Sequence, residues 1–113
     1  MTVNSFTFKD KLSDPIPSYA IGKKYLIVDI TYENVQQNAT ADTDTSGMLV
    51  TDGGGYIFEP ASDSVLENPF NGKSVLPQES RTGNMVYIVP PEATFLKLQY
   101  NFGNQSIAKF QLT

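Results

Sequence analysis

Two apolar segments far apart in the chain restrict its fold more than any other feature. Lys23 to Asn34 carries Leu26, Val28, Ile30 and Tyr32 at alternate positions, with Asp29, Thr31 and Glu33 between them. The second segment begins at Gly83, runs through Met85, Val86, Tyr87, Ile88 and Val89 to Pro90-Pro91, and resumes from Phe95 to Tyr100. A period of two puts alternate side chains on opposite faces of an extended chain, so both read as long β-strands. β-Branched and aromatic residues inside them, with Gly, Asn and Pro at their ends, agree with that reading. Tyr25 and Ile27 fall on the outer face of the first strand, which predicts that a neighbour covers one end of this face.

Other strands follow the same logic. Thr2 to Lys9 places Phe6 and Phe8 on one face, and Asp14-Pro15-Ile16-Pro17 breaks the pattern. Val35 to Gly47 is polar and turn-prone. Met48 to Asp52 and Tyr56 to Phe58 flank Gly53-Gly54-Gly55, a hairpin in which glycine reaches positive φ cheaply. Glu59 to Ser80 is the least regular stretch. A structureless loop of that length is uncommon, so a short edge strand is expected at Ser64 to Leu66 or Lys73 to Leu76. Arg81 to Val89, Phe95 to Tyr100 and Ser106 to Leu112 supply the last strands, with a tight hairpin at Asn101-Phe102-Gly103-Asn104. No amphipathic helix emerges. The expected fold is all-β, an immunoglobulin-like antiparallel β-sandwich of about seven to eight strands, as a single domain over 1–113. Its expected core contains Leu26, Val28, Ile30, Tyr32, Val86, Ile88, Leu96, Leu98 and Phe110.

The composition narrows the chemistry. A chain of 113 residues with 40% hydrophobic content can bury a single core. It contains no cysteine and no histidine, which removes thiol nucleophiles, disulfides, Cys/His zinc sites and any histidine base. Twelve acidic and eight basic residues give a net charge of −4, and Lys23-Lys24 is the only adjacent basic pair. Nucleic-acid binding needs a basic patch to displace counterions, so no nucleic-acid partner is expected. No apolar run approaches the roughly 20 residues of a membrane span. Met1-Thr2 leads straight into a strand pattern, which fits removal of a leader.

Few side chains form a pattern that carries chemistry. Asp42-Thr43-Asp44-Thr45-Ser46-Gly47 matches the first half of a calcium loop, but the twelfth position is Gly53, where a bidentate Glu belongs. A solvated loop is the preferred reading. Asp52, Glu59, Asp63, Glu67, Glu79 and Glu92 contain the raw material for a glycosidase pair, yet no spacing selects two of them. Tyr19, Tyr25, Phe70, Phe95 and Phe102 lie outside the core alternation, where they either cover the sandwich ends or serve as contact residues. Asn38-Ala39-Thr40 and Asn104-Gln105-Ser106 are glycosylation sequons. No catalytic, cofactor-binding or metal-ligating residue is assigned, and no cofactor is expected.

Several blocks together carry a family resemblance. Gly22-Lys23-Lys24-Tyr25-Leu26-Ile27-Val28 through Asn34 resembles the opening strand of the bacterial and archaeal domain-of-unknown-function family 4352. Asp52-Gly53-Gly54-Gly55-Tyr56 is similar to that family's hairpin, and Leu76-Pro77 through Gly83 to Pro90 to its later strand block. Gln78 stands where the family usually has Gly, and Tyr87 where it usually has Phe. The resemblance spans about residues 3 to 112 and implies an immunoglobulin-like sandwich like that of the mycobacterial immunoprotective secreted antigen. It also implies an exported protein or lipoprotein of the cell envelope. The expectation is thus a non-catalytic extracellular or cell-surface module that contacts an unidentified protein or envelope component. Loops Val35 to Gly47 and Glu59 to Ser80 would form the contact surface, with Tyr56 and Phe70 as anchors. The alternative is a calcium- or carbohydrate-binding module, or a hydrolase, using loop carboxylates such as Asp42 and Asp44.

Overall fold

Alternating apolar residues on strands that cannot bury their faces alone force a second layer, and here that layer is another sheet. The computed structural model describes residues 2–10, 21–41, 43, 45–61, 66, 68–70, 74–102 and 105–112. Among these, seven strands run in the order β1 (Thr2–Lys9), β2 (Lys24–Glu33), β3 (Met48–Thr51), β4 (Ile57–Phe58), β5 (Ser80–Val89), β6 (Lys97–Phe102) and β7 (Gln105–Gln111). One sheet has the order β1-β2-β5 and the other β4-β3-β6-β7, and every strand pair within them is antiparallel. This is the expected all-β sandwich. A 3₁₀ turn at Thr45–Gly47 leads into β3.

β2 is the central strand of its sheet. Leu26, Val28 and Ile30 are fully buried and meet Met48, Val50, Leu96, Leu98 and Tyr100 in one core. Tyr32 and Phe110 pack against this core from its margin. The ring of Tyr32 meets that of Tyr100 edge to face at 6.2 Å. β1 needs a correction in phase to join. Val3 pairs with Ile30 and Ser5 with Asp29, so Asn4 is the extra residue of a bulge. That insertion leaves Val3, Phe6 and Phe8 opposite Ile30, Val28 and Leu26, all aimed at the inner side. Asn4 itself points its amide at Asp29 Oδ1 and Thr31 Oγ1, 2.8 Å from each.

The face of β5 differs from expectation. Its inward residues are Met85, Tyr87 and Val89, because β2 pairs Val28 with Met85, Leu26 with Tyr87 and Lys24 with Val89. Val86 and Ile88 point to the opposite side, where they form a smaller cluster with Tyr25, Ile27, Ala61 and Leu66. Both parities of β5 are apolar because both of its faces are covered. The cover is the segment between β4 and β5. Ala61 N donates to Val86 O at 2.8 Å, Phe70 N to Asn84 O at 2.8 Å, and Asn84 N to Asn68 O at 2.9 Å.

Before β5 begins at Ser80, no named strand occupies the described part of Glu59 to Ser80. In its place are two isolated bridges, Val75 with Ala41 and Pro69 with Asn84. Phe70 is 1% exposed and joins the main core, with the Arg81 guanidinium carbon 5.5 Å from its ring centroid. It is a core residue, so the expectation of a surface anchor at Phe70 is corrected. Tyr87 ties the sheets together: its hydroxyl donates to Met48 O at 2.6 Å inside the core. Burial raises its phenol pKa well above the ordinary range.

Candidate recognition surface

The sandwich has two unlike ends. One gathers the Asn34–Gly47 and Leu76–Ser80 connections, and its organiser is Asn34, the last residue of the family-like opening motif. The Asn34 side chain is buried, donating to Ala39 O at 2.8 Å and Val75 O at 2.9 Å and accepting from Gln36 N at 3.0 Å. Gln78 sits in this region at φ 59°, a left-handed conformation that favours glycine.

The other end is built from the β3–β4 turn and the β5–β6 connection. Asp52 Oδ1 accepts from Gly54 N at 2.9 Å and Tyr56 N at 3.0 Å, which folds the glycine-rich turn over one carboxylate oxygen. Gly55 supplies the positive φ, 88°. The turn is clasped to the neighbouring connection by Gly53 N donating to Thr94 O at 3.0 Å. A Cβ on Gly53 would lie 3.0 Å from Phe95 Cδ2, so glycine lets the ring lie close against the turn.

Phe95 is the anomaly at this end. It holds φ 54°, a conformation that costs an aromatic L-residue about 1–2 kcal/mol, yet its side chain is 68% exposed. The next residue, Leu96, is fully buried. Tyr56 is 71% exposed and Ile57 62% exposed nearby. Two cavities adjoin here. One, of about 400 Å³, is lined in part by Asp52, Tyr56, Phe58, Pro90, Glu92 and Thr94. The other, of about 450 Å³, is lined by Phe8, Lys24, Pro91 and Phe95 and shares Pro90, Ala93 and Thr94 with the first.

These positions sort the residues singled out in the sequence. Of the six carboxylates considered, Asp52 and Glu92 line one cavity. Glu59 borders a different, shallow hollow beside Ile57 and Ile88, and Glu79 belongs to the opposite end, where its carbonyl accepts from Asn34 N. Asp63 and Glu67 lie outside the described residues, as do Asp42, Asp44, Tyr19, Asn104 and the side chain of Phe102. Met48–Thr51 is strand, so about 13 Å of extended chain lies between Gly47 and Asp52. Among the described residues no three acidic side chains gather as a metal site would need. Tyr25 is buried under the outer cover of β2, Asn38 is exposed, and Tyr56 and Phe95 are the exposed aromatics that the fold brings to one end.

Strand order and core define an immunoglobulin-like β-sandwich with an aromatic, glycine-turned end. A match to the model of the Domain of unknown function (DUF4352) family covers residues 1–109, and the chain belongs to that family. The fold is also that of MPT63, a secreted protein from Mycobacterium tuberculosis known from a 1.5 Å crystal structure. The two superpose with a TM-score of 0.66 at 14% identity, covering 94% of this chain and 80% of that one. Comparison with curated protein sequences finds no match. No helix among the described residues is long and apolar enough to cross a membrane.

Proposed function

We propose that this chain is a non-catalytic binding module that works outside the cytoplasm, with the Tyr56–Phe95 end as its contact surface. The observation that carries the reading is Phe95, an aromatic held in a strained conformation and left mostly in water. Exposure of a large ring with its backbone strained makes sense for a side chain displayed to a partner, since neither feature adds stability. The exposed Tyr56 ring, lining the adjoining cavity at the same end, supplies the second large contact, and aromatics are the commonest anchors of interfaces. The lack of histidine and cysteine supports a non-catalytic role. The likeness to a secreted mycobacterial protein supports an extracytoplasmic one.

The test has two parts. Cells expressing the full-length gene are fractionated, and the purified domain is sedimented with isolated cell envelopes as wild type, Phe95→Asn and Tyr56→Ser. Recovery of the protein outside the cytosol, together with loss of most envelope binding in both variants at undiminished melting temperature, is the expected result. Wild-type binding by both variants, or recovery wholly in the cytosol, would refute the reading.

A further inference from the structure

We infer that the 400 Å³ cavity between the Asp52–Tyr56 turn and the Pro90–Thr94 segment receives a cationic side chain, a guanidinium or ammonium group, from a polypeptide partner. The inference rests on the reading of this end as a recognition surface and adds the chemistry of what it recognises.

The argument starts from charge. Asp52 and Glu92 both line the cavity, and among the described residues no Lys or Arg does. Asp52 uses Oδ1 on two backbone amides of its own turn, which fixes the carboxylate in place. Among the described residues, its Oδ2 and both oxygens of Glu92 have no hydrogen-bond or ion-pair partner. The cavity therefore presents one carboxylate fixed by its turn and a second, exposed one, with no counter-ion among the described lining residues. An anion is repelled by such a site. A neutral sugar needs donors as well as acceptors, and the lining side chains offer only the Tyr56 and Thr94 hydroxyls. A cation is the ligand that suits these carboxylates, because charge-assisted bonds to carboxylate are roughly twice as strong as neutral ones. Tyr56 and Phe58 add aromatic rings, whose faces attract cations.

The volume falls within the roughly 300–1,000 Å³ of small-ligand sites and leaves room for a whole side chain. The adjoining cavity identifies the rest of the partner. Phe8, Pro90, Pro91 and Phe95 make it mainly apolar, and its one charge among the described residues is the cationic Lys24. A basic residue next to a large apolar one fits the two cavities side by side. The reverse arrangement would set its cation against Lys24.

The test is a titration of the intact, isotope-labelled chain, followed by backbone amide shifts. The probes are N-acetyl-arginine amide, its neutral isostere N-acetyl-citrulline amide, and N-acetyl-phenylalanine amide. The arginine probe should shift the amides of Gly53, Gly54, Tyr56, Glu92 and Thr94 saturably, and citrulline should not. Glu92→Gln and Asp52→Asn should each weaken arginine binding about tenfold, the latter while keeping an acceptor for the turn. Glu59→Gln, a carboxylate elsewhere, should leave it unchanged. Equal shifts from citrulline, or arginine binding insensitive to Glu92→Gln and Asp52→Asn, would overturn the inference. Shifts at these amides from phenylalanine and not arginine would overturn it too, while leaving the recognition surface standing. If no probe shifts this end and Phe95→Asn retains envelope binding, both readings fall.

Discussion

Replacing Gly83 by alanine should destabilise the domain far more than a single methyl group ordinarily does. A Cβ at this position would lie 2.7 Å from Phe70 N and Cα and 2.8 Å from Phe70 Cβ. Ordinary contact begins near 3.4 Å, so the backbone of the 68–70 segment must retreat by about 0.7 Å. That retreat stretches the Phe70 N to Asn84 O bond from 2.8 Å to beyond bonding distance and lifts a ring that is 1% exposed. Overpacking costs about 1–3 kcal/mol and the lost backbone bond about 1 kcal/mol. Alanine also narrows the unfolded ensemble, which returns about 0.5–1 kcal/mol. The net loss is about 1–3.5 kcal/mol. At an m-value of about 1.5 kcal/mol per M, the urea midpoint falls by about 0.7–2.3 M. Gly54→Ala is the control, because its Cβ would meet nothing closer than 3.5 Å, and it should stay within about 0.5 kcal/mol of wild type. Denaturation curves of the three proteins decide the matter. A Gly83→Ala midpoint equal to that of Gly54→Ala would refute the idea that the 68–70 segment is pressed against β5.

Tyr87→Phe removes the hydroxyl that donates to Met48 O and should cost about 1–2 kcal/mol at neutral pH by thermal melting. Because burial raises the folded pKa of this phenol above the unfolded 10, its stabilising share is complete below pH 10 and is lost as pH rises beyond it. Wild type should therefore lose about 1.4 kcal/mol per pH unit more than Tyr87→Phe above pH 10, and parallel alkaline profiles would contradict this. Gln78→Gly should raise stability by about 0.5–1 kcal/mol by relieving a φ of 59°, measured as a higher urea midpoint. Asn34→Ala strips two carbonyls of their donor and should lower stability by about 2–3 kcal/mol, with faster hydrogen exchange at Ala41 and Val75, whose amides bond each other's carbonyls.

The two departures from the family pattern show how local chemistry and tertiary context divide. Gln78 looks innocuous in the sequence, and its cost becomes visible only with its backbone angle. Tyr87 looks like a polar variant of phenylalanine, and only the packing of β5 over β3 gives its hydroxyl a buried acceptor. The candidate site behaves in the same way. Asp52 and Glu92 are forty positions apart and line one cavity because the β3–β4 turn and the β5–β6 connection close the same end of the sandwich. No spacing rule links them.

What the sequence determined by itself was whatever depends on neighbouring residues. The alternation of Leu26, Val28 and Ile30 set the inner face of β2, and the Asp52–Tyr56 glycines set a hairpin, because both effects act over a few residues. Tertiary structure decided which parity of β5 faces the core, since Met85, Tyr87 and Val89 compete with Val86 and Ile88 on equal hydrophobic terms. The β2–β5 register and the covering of Val86 by Ala61 and Leu66 resolved that competition. Those contacts join residues far apart in the chain. Burial is a property of what lies above a face, and a strand's own sequence records only that the face is apolar.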